Sequence, residues 1–433
     1  MNTIGNKPLS TLNLFSLKGV QMRTFHLTWI SFFVCFFGWF GLAPLMPAIR
    51  EDLGLTKPQI GNIIIAAVSA TIFARLLVGK LCDTWGPRKT YTALLVLGSL
   101  PVMLVGLAHD YTSFLLFRLA IGTIGASFVI TQFHTSIMFA PQIKGTVNAI
   151  TGGWGNLGGG VTQLAMPVIM AVLVGFGYTK PEAWRLAMIV PGLMMLVMAY
   201  LYYRYTTDTP TGNFDDMDRT VAKSEKISFW KACADLRVWA LALAYACCFG
   251  MEITFDGVAA LYFFDNFKME QTEAGFWAML FGGMNIFARA LGGIVADKVG
   301  NKYGMRGKGV LLAGLLLMEG VGVMLFAQAG SLPLAIVSML TFALFLKMSN
   351  GSTYAIVPFV NPKAVGVISG VVGAGGNVGG MLMGFLFKSQ NISYSEAFLY
   401  IGGVVAIIGA LLFLVNFNRA VVAEPTEAEL QTA

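Results

Sequence analysis

Apolar residues run along this chain in long blocks instead of alternating with polar ones. A block of about 20 mainly apolar residues is what a helix needs to cross a bilayer. Twelve such blocks are predicted, at 26–48, 60–80, 90–108, 112–139, 146–175, 184–205, 237–264, 273–296, 309–328, 332–358, 364–387 and 395–416. The long polar interval 206–236 divides them six and six. It predicts a cytoplasmic linker, part of it suited to an amphipathic helix lying along the membrane surface. The expected organisation is a six-helix bundle over 1–205, the linker over 206–236, and a second six-helix bundle with a short tail over 237–433.

Composition agrees. Hydrophobic residues make up 56% of the 433 residues and charged ones 12%, half the share of an ordinary soluble domain. The net charge of +7 does not point to nucleic acid, because basic residues of membrane chains collect in cytoplasmic loops. With both termini inside, nineteen of the 29 lysines and arginines fall on the inner side and six on the outer, which sets an N-in, C-in topology. The remaining four, Arg75, Arg118, Arg289 and Lys347, lie within helices. Cys35, Cys82, Cys233, Cys247 and Cys248 have no metal-ligand spacing, so neither disulfides nor a metal site is expected. The N-terminal stretch reads as leading into a retained first helix and not as a cleaved signal. No P-loop or catalytic constellation is legible, which argues against an enzyme and against a cofactor.

The two halves share a repeat. TIFARLLVGKLCDTWG at 71–86 aligns with NIFARALGGIVADKVG at 285–300, with eight identities in the fifteen columns from Ile72 to Gly86. GGWGNLGG at 152–159 aligns with GAGGNVGG at 373–380, placing Asn156 opposite Asn377. Matching the second helix to the eighth and the fifth to the eleventh implies two halves related by an axis along the membrane normal, with a substrate site between them near mid-membrane.

These segments resemble the major facilitator superfamily. GKLCDTWGPRK at 79–89 looks like its loop motif, with Gly79, Asp83, Gly86 and Arg88 in the expected places and a degenerate copy around Asp297. RLAIGTIG at 118–125 resembles its fourth-helix motif. GGWGNLGGG and GAGGNVGG look more specifically like the two nitrate signatures of the nitrate/nitrite porter family. The arginine-bearing helices and FFGWFGLAPLMPAIREDLGLT, ending at Thr56, are also similar to that family. The resemblance implies a twelve-helix, all-α membrane protein in two pseudo-symmetric bundles that moves nitrate by alternating access. The expected location is the plasma membrane, a bacterial inner membrane given the compact chain.

The residues themselves point the same way. An arginine inside a spanning helix costs roughly 2.5–3.5 kcal/mol to insert, so it faces a polar cavity or a partner. Arg75 and Arg289 each lie eight residues before an aspartate at the helix end, about 12 Å into the membrane. Neither has an acid three or four positions away. A guanidinium is a planar, permanently charged fork that suits a planar oxyanion, and the resemblance carries the family's two substrate-binding arginines onto Arg75 and Arg289. The alternative is that each pairs with a buried acid, for which Glu252, Asp256 and Glu319 are the candidates. Asn156 is expected to contact substrate, with Asn377 its counterpart. Dense glycine around both reads as close helix packing, since GWGNLG at 153–158 sits inside a span and not after a strand. Phe133 matches a family position whose ring confines the anion; an ordinary core phenylalanine is the other reading.

Nitrate entry works against an interior-negative potential, at about 2.3 kcal/mol per charge and 100 mV. Symport with more than one proton would overcome this, and one-for-one exchange with nitrite would avoid net charge movement. Candidate coupling groups are Glu252, Asp256, Glu319, Lys347 and His134; their number favours proton-linked uptake, although Lys347 could equally form a salt bridge with Glu252 or Glu319. The expected partners are nitrate, with nitrite and the proton as further ligands, and the lipid bilayer, with no nucleic acid and a functional monomer. A carrier of another small anion such as formate, or a membrane nitrate sensor, are the competing readings.

Overall fold

The computed structural model describes residues 7–216, 230, 233–361 and 365–418. Ten intervals of it are long and apolar enough to cross a membrane. Gln271–Ala327 contains two passes, because Gly304 (φ 65°, ψ −161°) breaks its final helix where the chain reverses. With the 21-residue helix Val20–Phe40 in front, the described residues form twelve spans. After the first come Lys57–Trp85, Pro87–Leu107, Tyr111–Met138, Pro141–Gly175 and Lys180–Tyr205. The second half holds Leu236–Phe267, the divided Gln271–Ala327, Leu332–Val360, Val365–Lys388 and Tyr394–Leu412.

The first span differs from expectation. It begins six residues earlier, at Val20, and ends at Phe40, after which the chain turns and a short helix, Met46–Leu53, follows. Pro47 starts that helix, and Gly54 ends it in the left-handed region (φ 58°), so the apolar run to residue 48 is two elements. Four of the spans start on reciprocal caps: Thr56 with Gln59, Asp110 with Ser113, Thr179 with Glu182 and Ser393 with Glu396. Two spans are interrupted by 3-10 turns, Thr123–Ala126 in the fourth and Met284–Ile286 in the eighth. The expected surface helix of the linker falls largely outside the described residues.

The spans pack as two bundles of six. Span 1 lies against spans 5 and 6, and its repeat partner, span 7, lies against span 11. Between bundles, span 2 packs on span 11 and span 5 on span 8, so the four repeat-bearing helices form the interface. Glycine permits the closest approaches. A Cβ at Gly158 would stand 2.1 Å from the Phe33 carbonyl oxygen, and one at its counterpart Gly379 would stand 2.1 Å from that of Ala246. Phe73, Leu76, Leu97, Leu116, Val197 and Ile407 remain exposed, as expected of side chains that meet lipid.

Candidate functional site

Arg75 sits on the second span with only 5% of its surface exposed, while Phe73, two residues earlier, is 75% exposed. The helix therefore turns its arginine inward and its apolar neighbour to lipid. Arg289 is equally buried on the eighth span. Both guanidiniums lie over one ring, Phe128, with centroid distances of 5.4 and 5.8 Å, and Arg75 also lies 5.6 Å from the ring centroid of Phe249. Tyr245 stacks on Phe249 with 3° between the planes, and Tyr354 meets both Tyr245 and Phe128 edge-on. Two cations thus share a box of four aromatic rings.

Each arginine reaches across to the other bundle's glycine segment. Arg75 Nη1 donates to the Gly373 carbonyl at 2.7 Å. A Cβ at Gly152, the repeat counterpart of Gly373, would lie 3.5 Å from Arg289 Nε. The first glycine of each repeat thus lets an arginine approach the backbone, whereas Gly158 and Gly379 bring helices together. Asn377 donates to the same Gly373 carbonyl at 3.3 Å.

The donors are not used up. Arg75 Nε and Nη2 and Arg289 Nη1 are buried without a hydrogen-bond partner, and among the described residues no carboxylate lies within ion-pair distance of either arginine. Arg289 Nη2 donates to the Tyr245 hydroxyl at 3.1 Å. Buried cations that keep free donors are strongly disfavoured unless an acceptor completes them. The alternative, in which Arg75 or Arg289 is held by Glu252, Asp256 or Glu319, is not seen among the described residues. A flat anion with several oxygens would satisfy the free donors of both bundles at once.

The acids lie elsewhere. Glu252 forms a fully buried ion pair with Lys347 at 2.6 Å. Its Oε1 also accepts from Asn285 at 2.9 Å and Asn156 at 3.4 Å, and its Oε2 accepts from Asn350 at 2.6 Å. Asn156 thus turns its amide nitrogen to Glu252, leaving Oδ1 without a partner. Asp256 and Glu319 are buried, with Asp256 close to Gly159. His134 is placed in the N-terminal bundle, bonded to the Tyr202 hydroxyl at 2.6 Å and the Thr207 carbonyl at 2.8 Å, away from both arginines. Phe133 packs partly buried against the core, and the rings that lie over the guanidiniums are Phe128 and Phe249. Phe133 stands five residues beyond Phe128, a rotation of about 140° that points it off the site face.

The loop motif acts within bundles. Gly86 (φ 86°) passes against the Asp208 carboxylate, which accepts from the Arg88 backbone nitrogen at 2.9 Å, and Arg88 Nε donates to the Tyr203 carbonyl. Gly79 leaves room beside Val129. Asp297 pairs with Lys308 at 2.8 Å. The side chain of Asp83 is outside the described residues.

The sequence reading missed Tyr245, Phe249, Phe128, Tyr354, Asn285 and Asn350. A signal existed: Tyr245, Phe249, Glu252 and Asp256 recur at helical spacing on one stripe of the seventh span, as do Lys347, Asn350 and Tyr354 on the tenth. Phe128 and Asn285 lie at or beside the two 3-10 interruptions, which no periodicity announces. Tyr245→Phe keeps the stacked ring but removes the hydroxyl on Arg289. It is expected to raise the KM for transport between about two- and tenfold with little change in protein yield.

A family model described as Major Facilitator Superfamily matches residues 28–382. The high affinity nitrate transporter 2.5 of Arabidopsis thaliana is 39% identical over 408 residues, spanning 93% of this chain and 81% of its own. The high-affinity nitrate transporter 2.3 of Oryza sativa subsp. japonica is 40% identical over 86% of this chain and 73% of its own. The nitrate/nitrite transporter NrtP of Picosynechococcus sp. is 30% identical over 84% of each. Among solved structures, a bacterial homolog of the human lysosomal transporter Spinster matches with a TM-score of 0.71 at 16% identity. That match covers 92% of this chain and 97% of the other, a likeness of fold.

Proposed function

Because this chain belongs to the Major Facilitator Superfamily, and within it to the nitrate/nitrite porters, we propose that it carries nitrate across its membrane by alternating access. It is a multi-pass membrane protein of a family of transporters, not of enzymes. The observation that carries the nitrate reading is the pair of buried, acid-free guanidiniums that share the Phe128 ring and keep donors free from both bundles. A planar monoanion would accept from both forks while the rings exclude water, and no cofactor is needed for that.

We take the direction to be uptake, with both termini in the cytoplasm and the proton as driving ion. Buried titratable groups beside the anion box support the coupling; nitrite exchange is the second reading, in keeping with a relative described as a nitrate/nitrite transporter. The test is purified protein in liposomes, with the pH gradient, the potential and internal nitrite varied one at a time. Nitrate accumulation that follows the pH gradient is expected. Uptake that needs internal nitrite and ignores pH would move the reading to exchange, and no nitrate movement under any condition would end it.

Alternating access requires the bundles to part at each end in turn. At the end where spans 1 and 7 finish, Arg50 meets Asp265 with two hydrogen bonds of 3.0 Å, and Gln271 donates to the Pro44 carbonyl at 2.9 Å. Lys57 also donates to the Ile392 carbonyl there. These contacts join the bundles on the expected outer face. Both partners of the Arg50–Asp265 pair are partly exposed, so it is worth no more than about 1 kcal/mol. Asp265→Ala is expected to make an outer-vestibule cysteine label several times faster, and the swap Arg50→Asp with Asp265→Arg to restore slow labelling. Unchanged labelling in Asp265→Ala would remove this pair from the gate.

A further inference from the structure

The seventh span presents one continuous stripe toward the other helices: Tyr245, Phe249, Glu252 and Asp256. Its first two members belong to the anion box, where Tyr245 bonds Arg289 and Phe249 lies against Arg75. The third, Glu252, lies one helical turn beyond Phe249, about 4.5 Å along the axis. Glu252 is 1% exposed, and its carboxylate accepts hydrogen bonds from Lys347, Asn285, Asn156 and Asn350. Asn285 stands four residues before Arg289, in the 3-10 turn of the eighth span. Among the described residues, Glu252 is the buried acid that bonds side chains of both bundles, through Asn156 of the fifth span and through Asn285, Lys347 and Asn350 of the other half.

We propose that Glu252 is the group that takes up the proton accompanying nitrate, with Lys347 holding it ionised while the anion box is empty. This rests on the proton-coupled reading above. The chemistry is a single protonation: the carboxylate binds one proton to become a carboxylic acid, no other covalent bond changes, and the Lys347 ammonium keeps its three protons. Nitrate beside Arg289 brings a negative charge into the same dry layer as Glu252, so each negative charge disfavours the other. A proton on Glu252 removes that conflict, and the layer fills with one anion and one proton at constant net charge. By linkage, proton and nitrate then strengthen each other's binding. Because protonation turns an acceptor of the Asn156 amide into a hydroxyl, the same event alters a hydrogen bond that crosses the bundle interface.

The charged and titratable neighbours fit this assignment. Lys347 faces Glu252 from the tenth span and Arg289 from the eighth, while Asp256 follows one turn along its own helix and Glu319 acts on it from the ninth. The fifth span offers the neutral Asn156, and the eleventh approaches the seventh with Gly379 and Gly380 against Gly250. Asp256 and Glu319 have no hydrogen bond to the eighth span, so neither is tied to the helix that carries Arg289.

The test uses the full chain in liposomes, with nitrate as the probe. In the unmodified protein the apparent nitrate affinity should rise by up to about tenfold per unit fall in pH, the limit for one linked proton. Glu252→Gln should flatten that dependence and abolish accumulation driven by a pH gradient, while nitrate-for-nitrate counterflow persists. A single change strands the buried Lys347 ammonium and can prevent folding, so Glu252→Gln with Lys347→Met removes the pair as a unit and should behave in the same way. Asp256→Asn should keep the pH dependence. Gradient-driven accumulation in either Glu252 variant overturns the assignment. So does loss of counterflow in a double variant that still folds and binds nitrate, because the pair would then serve movement itself and not coupling. If the unmodified protein shows no pH-driven accumulation, the coupled reading of the preceding subsection falls as well, whereas failure in the variants alone touches only Glu252.

Discussion

Replacing Arg75 or Arg289 by lysine is expected to cut nitrate transport by about two to three orders of magnitude, although the charge is kept. Each guanidinium uses one edge to hold its place, Arg75 on the Gly373 carbonyl and Arg289 on the Tyr245 hydroxyl, and leaves other donors free for an anion. A lysine ammonium is a compact, strongly hydrated point charge that cannot hold its anchor and present a planar fork at the same time. Loss of a charge-assisted, buried donor pair corresponds to about 3–4 kcal/mol, which gives the stated range. Initial uptake rates and nitrate-dependent thermal stabilisation measure it. The effect should be alike for both variants, because the two arginines reach reciprocally across the interface to matching glycines. Near-normal affinity in one variant would take that arginine out of the site and leave a single-cation carrier.

Gly158→Ala and Gly379→Ala should each damage folding severely, although only one methyl group is added. The added methyl would sit 2.1 Å from a carbonyl oxygen of the neighbouring helix, and a backbone cannot swing aside as a long side chain can. Overpacking of this kind costs about 1–3 kcal/mol even when side chains give way, so most of the folded, monodisperse protein should be lost. Gly314→Ala is the control: nothing stands within 4 Å of its Cβ position, and exchanging glycine for alanine within a helix stabilises by about 1 kcal/mol. Detergent-solubilised yield and melting temperature of the three variants decide the matter. Equal behaviour of all three would mean that the interface between spans relaxes freely, and the glycine repeats would then need a different explanation.

The symmetry gives these two expectations a common root. The interface between bundles is made by the helices that carry the repeats, spans 2 and 11 and spans 5 and 8. One sequence device therefore appears twice, once as arginine against glycine and once as glycine against backbone. The carboxylate network breaks the symmetry: Asn285 aligns with Thr71 in the first half, whose hydroxyl instead bonds the Gly122 carbonyl. The first bundle supplies a cation and a packing surface, and the second supplies a cation together with an ion pair.

The sequence alone determined the number of spans, their division into two related halves and the burial of Arg75 and Arg289, because hydropathy, length and internal repetition act locally along the chain. It also carried the glycine motifs, although not which glycine faces an arginine and which faces a backbone. Only the tertiary structure decided that Lys347 pairs with Glu252, that Phe128 and not Phe133 lies over the guanidiniums, and that His134 belongs to the framework of the first bundle. Those outcomes depend on the rotational phase of one helix against another. The 3-10 turns at Thr123–Ala126 and Met284–Ile286 reset that phase just before Phe128 and Arg289. A shift of one residue rotates a side chain by about 100°, and no pattern read along a single helix fixes which neighbour it then meets.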